Sequence, residues 1–162
     1  MIFYYSRTDK TKAAAQALHE ITGLPLYPLE SDITDAKGFL FAFKSISAAF
    51  GNKGLPVRNM PDTVPEEIYL CAPIWAGEPA GPMKFFIANA GLARVRVHVV
   101  LTAMTPTRQH ITHVKKLLDK AGATPGDILQ IATTKQPPEA EILREHLREL
   151  LEPAAKPPSK PE

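Results

Sequence analysis

The chain has 162 residues, a length that suits one domain with a hydrophobic core and is too short for two comfortable domains. Its 44% hydrophobic and 22% charged content excludes a disordered chain, and a formal charge of +2 provides no basic excess indicative of nucleic-acid binding. The single cysteine excludes an internal disulfide and a cysteine metal cluster, which is typical of a reducing compartment.

Apolar runs alternate with helical patterns along most of the chain, which predicts a parallel sheet covered by helices on both faces. The predicted strands are residues 2–5, 24–30, 67–72, 95–102 and 128–133. Apolar stripes at helical spacing predict helices over residues 11–21, 39–50, 82–90, 111–121 and 139–151. Residues 1–152 are therefore expected to form one domain, and the proline-rich residues 153–162 a disordered tail.

Five strand–helix units joined by right-handed crossovers most economically form a doubly wound sheet of strand order 2-1-3-4-5. In such a sheet, ligands bind at the carboxyl ends of strands 1, 3 and 4, around the switch in strand order. This rule selects three loops, at residues 6–11, 72–81 and 102–108.

The first loop combines hydroxyl groups with the start of a helix. Ser6, Thr8 and Thr11 supply hydroxyls, and the first backbone N–H groups of the helix are free to receive an anion. The loop is therefore a candidate phosphate site.

Asp9 is the one residue of this loop that disfavours a phosphate, because its side chain is negatively charged. A carboxylate about 5 Å from a phosphate would cost roughly 3 kcal/mol per unit of phosphate charge at an effective dielectric of about 20. Arg7 and Lys10 flank Asp9 and could neutralise it or reach the phosphate themselves. Alternatively, Asp9 or Thr8 caps the helix, which contributes about 1 kcal/mol. Either the Asp9 side chain turns outward, or no phosphate binds.

The second loop, CAPIWAGEPAGP, contains the only tryptophan of the chain among prolines and glycines. Small neighbours on either side of Trp75 leave room for a flat ligand, and an indole at a loop tip can stack on a planar ring. The alternative is that Trp75 folds back onto the core. Its place at the predicted switch point favours a ligand.

Together, YYSRTDKT and YLCAPIWAGEPAGP resemble the short flavodoxins and flavodoxin-like proteins over residues 2–150. The resemblance implies an α/β three-layer sandwich with a five-stranded parallel sheet, and FMN as cofactor. In that family, the loop after strand 1 holds the FMN phosphate and the loop after strand 3 lies beside the isoalloxazine; Asp9 stands where the family has glycine. The cofactor-binding residues implied here are Ser6, Arg7, Thr8, Lys10 and Thr11 for the phosphate, Pro73, Ile74, Trp75, Ala76 and Gly77 for the ring, and Thr102, Ala103 and Met104 in the third loop.

The expected function is therefore that of an FMN-binding protein in electron transfer or in the reduction of a small acceptor, with the chemistry belonging to the flavin and no catalytic side chain. Whether it is an enzyme or a carrier stays open. The expected partners are FMN and either a redox partner protein or a small acceptor, and a homodimer is also open. The alternative is a flavodoxin-like domain that has lost FMN and serves as a binding or assembly module.

The remaining reactive residues are expected to be structural. Cys71 is predicted to lie in the core, and His110 and His113 to lie at a solvated helix start rather than to form a metal site. Met1 leads directly into apolar residues without a signal-peptide pattern, and no apolar stretch could span a bilayer. We therefore expect a cytoplasmic protein without nucleic-acid or membrane partners.

Overall fold

The computed structural model describes residues 1–32, 54–133, 143–145 and 147–148. Its elements in chain order are β1 (Ile2–Tyr4), α1 (Lys10–Thr22), β2 (Leu26–Pro28), β3 (Glu67–Trp75), β4 (Glu78–Pro79), α2 (Gly81–Asn89), β5 (Arg96–Ala103), α3 (Arg108–Lys120) and β6 (Thr124–Ala132). The predicted helix over residues 39–50 and the predicted tail over residues 153–162 lie outside the described residues.

The strands form one sheet of order β2-β1-β3-β5-β6, and every neighbouring pair along this path is parallel. The short β4 is the exception, since it pairs antiparallel with the end of β3. The short β4 lies off this path, so β5 and β6 correspond to the fourth and fifth predicted strands. The expected order 2-1-3-4-5 is therefore confirmed. The chain therefore has an α/β fold with the switch in strand order between β1 and β3.

Two separate groups of buried side chains show that helices cover both faces of the sheet. On one face, α2 and α3 contribute Phe86 and Leu118 to the same cluster of buried side chains as Phe3 of β1. On the other face, Leu18 of α1 lies in the same cluster as Ile2, the residue that precedes Phe3 in β1. The final helical segment joins this second cluster through its buried leucines, Leu143 and Leu147. Adjacent strand residues thus face opposite layers, as the pleat requires.

Two strand boundaries differ by three or more residues from those that the sequence predicts. The third strand does not end at residue 72 but continues to Trp75, because residues 73–75 pair with β5 and β4 rather than entering an open loop. The last strand begins at Thr124 rather than at residue 128, and it contains a bulge opposite the segment between Val97 and Val99. Proline and glycine at the start of this strand obscured its pattern in the sequence.

Candidate functional site at the carboxyl edge of the sheet

The loop after β1 contains a buried hydroxyl oxygen. Ser6 is half-buried, and among the described residues its Oγ has no hydrogen-bond partner although it is shielded from solvent. Arg7 and Lys10 are half-buried beside it, whereas Thr8 is exposed. Since a buried hydroxyl without a partner is costly, Ser6 is suited to bind a polar ligand group.

Asp9 occupies the N-cap position of α1 in a left-handed conformation, with φ of 58°. Its side chain is exposed and makes no capping hydrogen bond, so the capping role considered for Asp9 is wrong. Its carbonyl oxygen nonetheless accepts a hydrogen bond from the N–H of Ala13 at 2.8 Å. Burial, and to a lesser extent the negative charge of Asp9, raise the pKa of Tyr4. The conformation is the one that glycine adopts most easily.

Thr11 connects this loop to the end of β5. Its side chain is only 2% exposed, and its Oγ1 lies 2.7 Å from the Oγ1 of Thr102. Both residues were predicted to bind the cofactor, and the structure brings them together across 91 positions of sequence. Since the hydroxyl of Thr11 is already engaged, its observed role is to join two of the three predicted loops.

The predicted tryptophan loop is a β-hairpin in this structure. Its two turn residues, Ala76 and Gly77, have φ of 50° and 83°, the positive values that a type I′ turn requires. Trp75 is half-buried at the end of β3, and its ring meets that of the buried Tyr5 edge to face, with centroids 5.6 Å apart. Pro73 and Ile74 are half-buried beside it in the same strand. The contact with Tyr5 places the hairpin against the loop after β1.

The third predicted loop begins where β5 ends. Ala103 is buried, and its carbonyl oxygen accepts a hydrogen bond from the N–H of Thr133. The next residue, Met104, is 81% exposed, the one large hydrophobic side chain so exposed among the described residues. An apolar side chain is therefore presented to solvent at the edge where the three loops meet.

The histidines of α3 are not the solvated pair that the sequence suggests. His110 is buried and its Nδ1 lies 3.1 Å from Oε1 of Gln130. His113 is half-buried, with its Nδ1 2.7 Å from Oε1 of Glu78 and 3.3 Å from the carbonyl oxygen of Gly77. The expectation of a solvated helix start is therefore wrong. His113 instead holds the hairpin against α3, a contact for which no local sequence signal exists.

The core position of Cys71 is confirmed, since the residue is fully buried in β3. Burial raises the pKa of its thiol to about 12, so the thiol stays protonated and unreactive. Within the described part of the chain, no group of three His, Cys, Asp or Glu residues could hold a metal ion. No helix in that part is long and apolar enough to cross a membrane.

No protein-family model matches this chain, and no curated protein matches it. Solved structures with similar folds do exist. A protein of Bacteroides eggerthii with a provisional flavoprotein assignment has a TM-score of 0.70 at 18% identity, over 93% of this chain and 96% of that one.

Two further structures also have similar folds. A Lactobacillus acidophilus flavoprotein, solved in complex with FMN, has a TM-score of 0.63 at 22% identity, over 80% of this chain and 90% of that one. The two-electron reduced flavodoxin of Megasphaera elsdenii has a TM-score of 0.52 at 15% identity, over 92% and 99%. The chain therefore has the flavodoxin-like fold.

Proposed function

We propose that this protein binds FMN at the carboxyl edge of its sheet and transfers electrons through it. The observation that carries the proposal is the buried Ser6 Oγ, which lacks a hydrogen-bond partner in the described structure and lies just before the N-terminus of α1. A phosphate would supply the missing acceptor, and a helix N-terminus with nearby cations favours an anion. The similar fold of an FMN complex supports the choice of ligand.

The residues present fit the parts of FMN in a consistent division of roles. Ser6 donates a hydrogen bond to the phosphate, while Arg7 and Lys10 balance its charge. Trp75, held edge to face by Tyr5, offers an indole surface to the isoalloxazine. When bound, FMN supplies the capacity to accept and release electrons. The chain's contribution is to bind and orient the cofactor and to exclude water.

Besides Trp75, the turn of the hairpin also supports a flavin site. Ala76 adopts a left-handed conformation that costs an alanine about 1 kcal/mol. Such strained backbone is concentrated at functional sites, where the fold retains it for the groups that it presents.

The test is a titration of the purified protein with FMN, followed by the fluorescence of its single tryptophan, Trp75. We expect quenching of Trp75 and yellow protein after gel filtration. The Ser6→Ala variant should bind FMN about tenfold more weakly, because a hydrogen bond to a charged group is lost. Thr124→Ala, which removes an exposed hydroxyl at the start of β6, outside the three loops, is the matched control and should bind like the wild type.

Millimolar FMN that changes neither fluorescence nor colour would contradict the proposal. The outcome would then favour the alternative of a domain that has lost its cofactor and serves as a binding module. Two observations would support that alternative: the Asp9 carboxylate at the start of α1, and the exposed Met104 as a contact for a protein partner. The electron-transfer role has a separate test, namely whether the bound flavin, once reduced, is reoxidised by ferricyanide.

A further inference from the structure

A cavity lies between α2 and α3. Its volume is about 440 Å³, and it is lined by residues of both helices and by Glu78 of β4. Lys84 and Ile87 line it from α2, and Lys116, Leu117 and Lys120 line it from α3. Ligand pockets in proteins commonly have volumes of about 300–1,000 Å³, so this cavity is large enough for a small organic molecule.

The charge of the lining is predominantly positive. Three lysines line the cavity, and Glu78 is the one acidic residue among its lining residues. Glu78 already has two partners, since its Oε1 lies 2.7 Å from Nδ1 of His113 and its Oε2 lies 3.9 Å from Nζ of Lys84. The cavity therefore keeps an excess of positive charge that an anion would complement.

Lys84 gives this charge an unusual position. Its side chain is only 5% exposed, in the wall of the cavity, and its Nζ forms an ion pair with Oε2 of Glu78. A cation held at low exposure in a cavity wall attracts an anion more strongly than one at the surface, because less water screens it.

The remaining walls are apolar. Ile87 is buried, Leu117 is half-buried, and the small side chains of Ala88 and Ala121 leave space between the helices. A ligand that combined an anionic group with an apolar body would therefore meet complementary surfaces on both sides.

We propose that this cavity binds a small organic anion whose apolar body is about the size of one aromatic ring. The proposal is independent of FMN binding, because Glu78 is the one lining residue that belongs to the three loops of the proposed flavin site, and it is not among the residues assigned to FMN. It does adjoin the hairpin, since His113 contacts both Glu78 and the carbonyl oxygen of Gly77. Binding of a ligand in the cavity would therefore affect the hairpin turn through the contacts of His113.

The test uses benzoate as the probe and benzamide as its neutral isostere, in the protein without added FMN. Titrations followed by the backbone amide signals in ¹H–¹⁵N NMR spectra should give saturable shifts with benzoate, concentrated at residues 84–88 and 113–121. Benzamide should bind about tenfold more weakly, because it lacks the charge that the lysines complement.

Matched variants separate the cavity from general surface charge. The double variant Lys116→Gln and Lys120→Gln should weaken benzoate binding by about tenfold, whereas Lys115→Gln, an exposed lysine of the same helix outside the cavity, should leave it unchanged. Ala88→Phe should block binding by filling the cavity from an exposed position of α2.

Three outcomes would overturn the proposal. The first is equal affinity for benzoate and benzamide, and the second is equal weakening by the Lys115 variant and the double variant. The third is a set of shifts concentrated at residues 6–11 and 73–77, which would place the anion in the proposed flavin site instead. None of these outcomes depends on whether FMN binds.

Discussion

Asp9 is the residue that most directly determines whether the first loop can hold a phosphate. It combines a negative charge with a left-handed backbone, and its exposed carboxylate makes no hydrogen bond to the first turn of α1. The sequence left two possibilities, an outward side chain or no phosphate. The exposed position of the side chain corresponds to the first possibility.

The two properties of Asp9 can be separated by substitution. Asp9→Asn removes the charge and keeps a residue that tolerates positive φ, whereas Asp9→Gly removes the charge and also relieves the backbone. We expect each variant to bind FMN about tenfold more tightly, because an exposed carboxylate near a phosphate repels it through partly screening solvent. We expect Asp9→Gly alone to raise the free energy of unfolding, by about 0.5 kcal/mol.

Isothermal titration calorimetry with FMN and urea unfolding of the two variants measure these effects. If Asp9→Asn leaves the FMN affinity unchanged while Asp9→Gly raises it, the backbone conformation rather than the charge limits binding.

At the scale of elements, the hairpin after β3 departs most from its predicted structure. Asn-Gly and Asp-Gly are the usual signals of a type I′ turn, and the Ala76-Gly77 sequence found here lacks the first of these residues. Proline cannot donate a hydrogen bond to a strand ladder, yet Pro73 lies within β3. It is tolerated at the end of β3, where the ladder finishes.

Substitutions at the two turn residues should change the free energy of unfolding in opposite directions. Ala76→Gly should raise the free energy of unfolding by about 1 kcal/mol, because glycine adopts φ of 50° without the steric cost that alanine bears. Gly77→Ala should lower it by a similar amount, and this loss would report the backbone alone, since an added Cβ meets nothing within 4 Å. Urea unfolding followed by circular dichroism measures both. Equal changes of the same sign in the two variants would contradict the assigned turn.

Other elements were predictable because their signals are local. The apolar stripe of α3 and the apolar run of β5 both lie where periodicity places them. Contacts between distant positions were not predictable, since no local pattern pairs Thr11 with Thr102 or His113 with Glu78. The predicted topology indicated that the three loops would meet. It did not indicate which side chains would connect them.

The stability of the whole molecule should depend on pH in the alkaline range. Burial raises the pKa of Cys71 to about 12 from an ordinary value of 9.0, and burial also raises those of Tyr4 and Tyr69. For an acid with a raised pKa in the folded state, the unfolded chain loses its proton first. Stability is therefore fully present below pH 9 and decreases as the pH rises toward 12.

The free energy of unfolding, measured in urea between pH 8 and pH 11, should consequently fall. In the Cys71→Ala variant, the free energy of unfolding should fall less steeply with pH, because only the tyrosines then contribute. The comparison rests on slopes, since removing the buried sulfur also lowers stability by about 1 kcal/mol at every pH. Parallel slopes for the two proteins would contradict the assignment of this titration to Cys71.

We propose that the carboxyl edge of this sheet binds FMN through a phosphate site in the first loop. Parallel titrations with FMN and riboflavin test it most directly, because the two ligands share the ring and differ in the phosphate. We expect FMN to bind at least about tenfold more tightly than riboflavin, with the difference largely lost in Ser6→Ala. Equal affinities for the two flavins, or no binding of either at millimolar concentration, would contradict the claim.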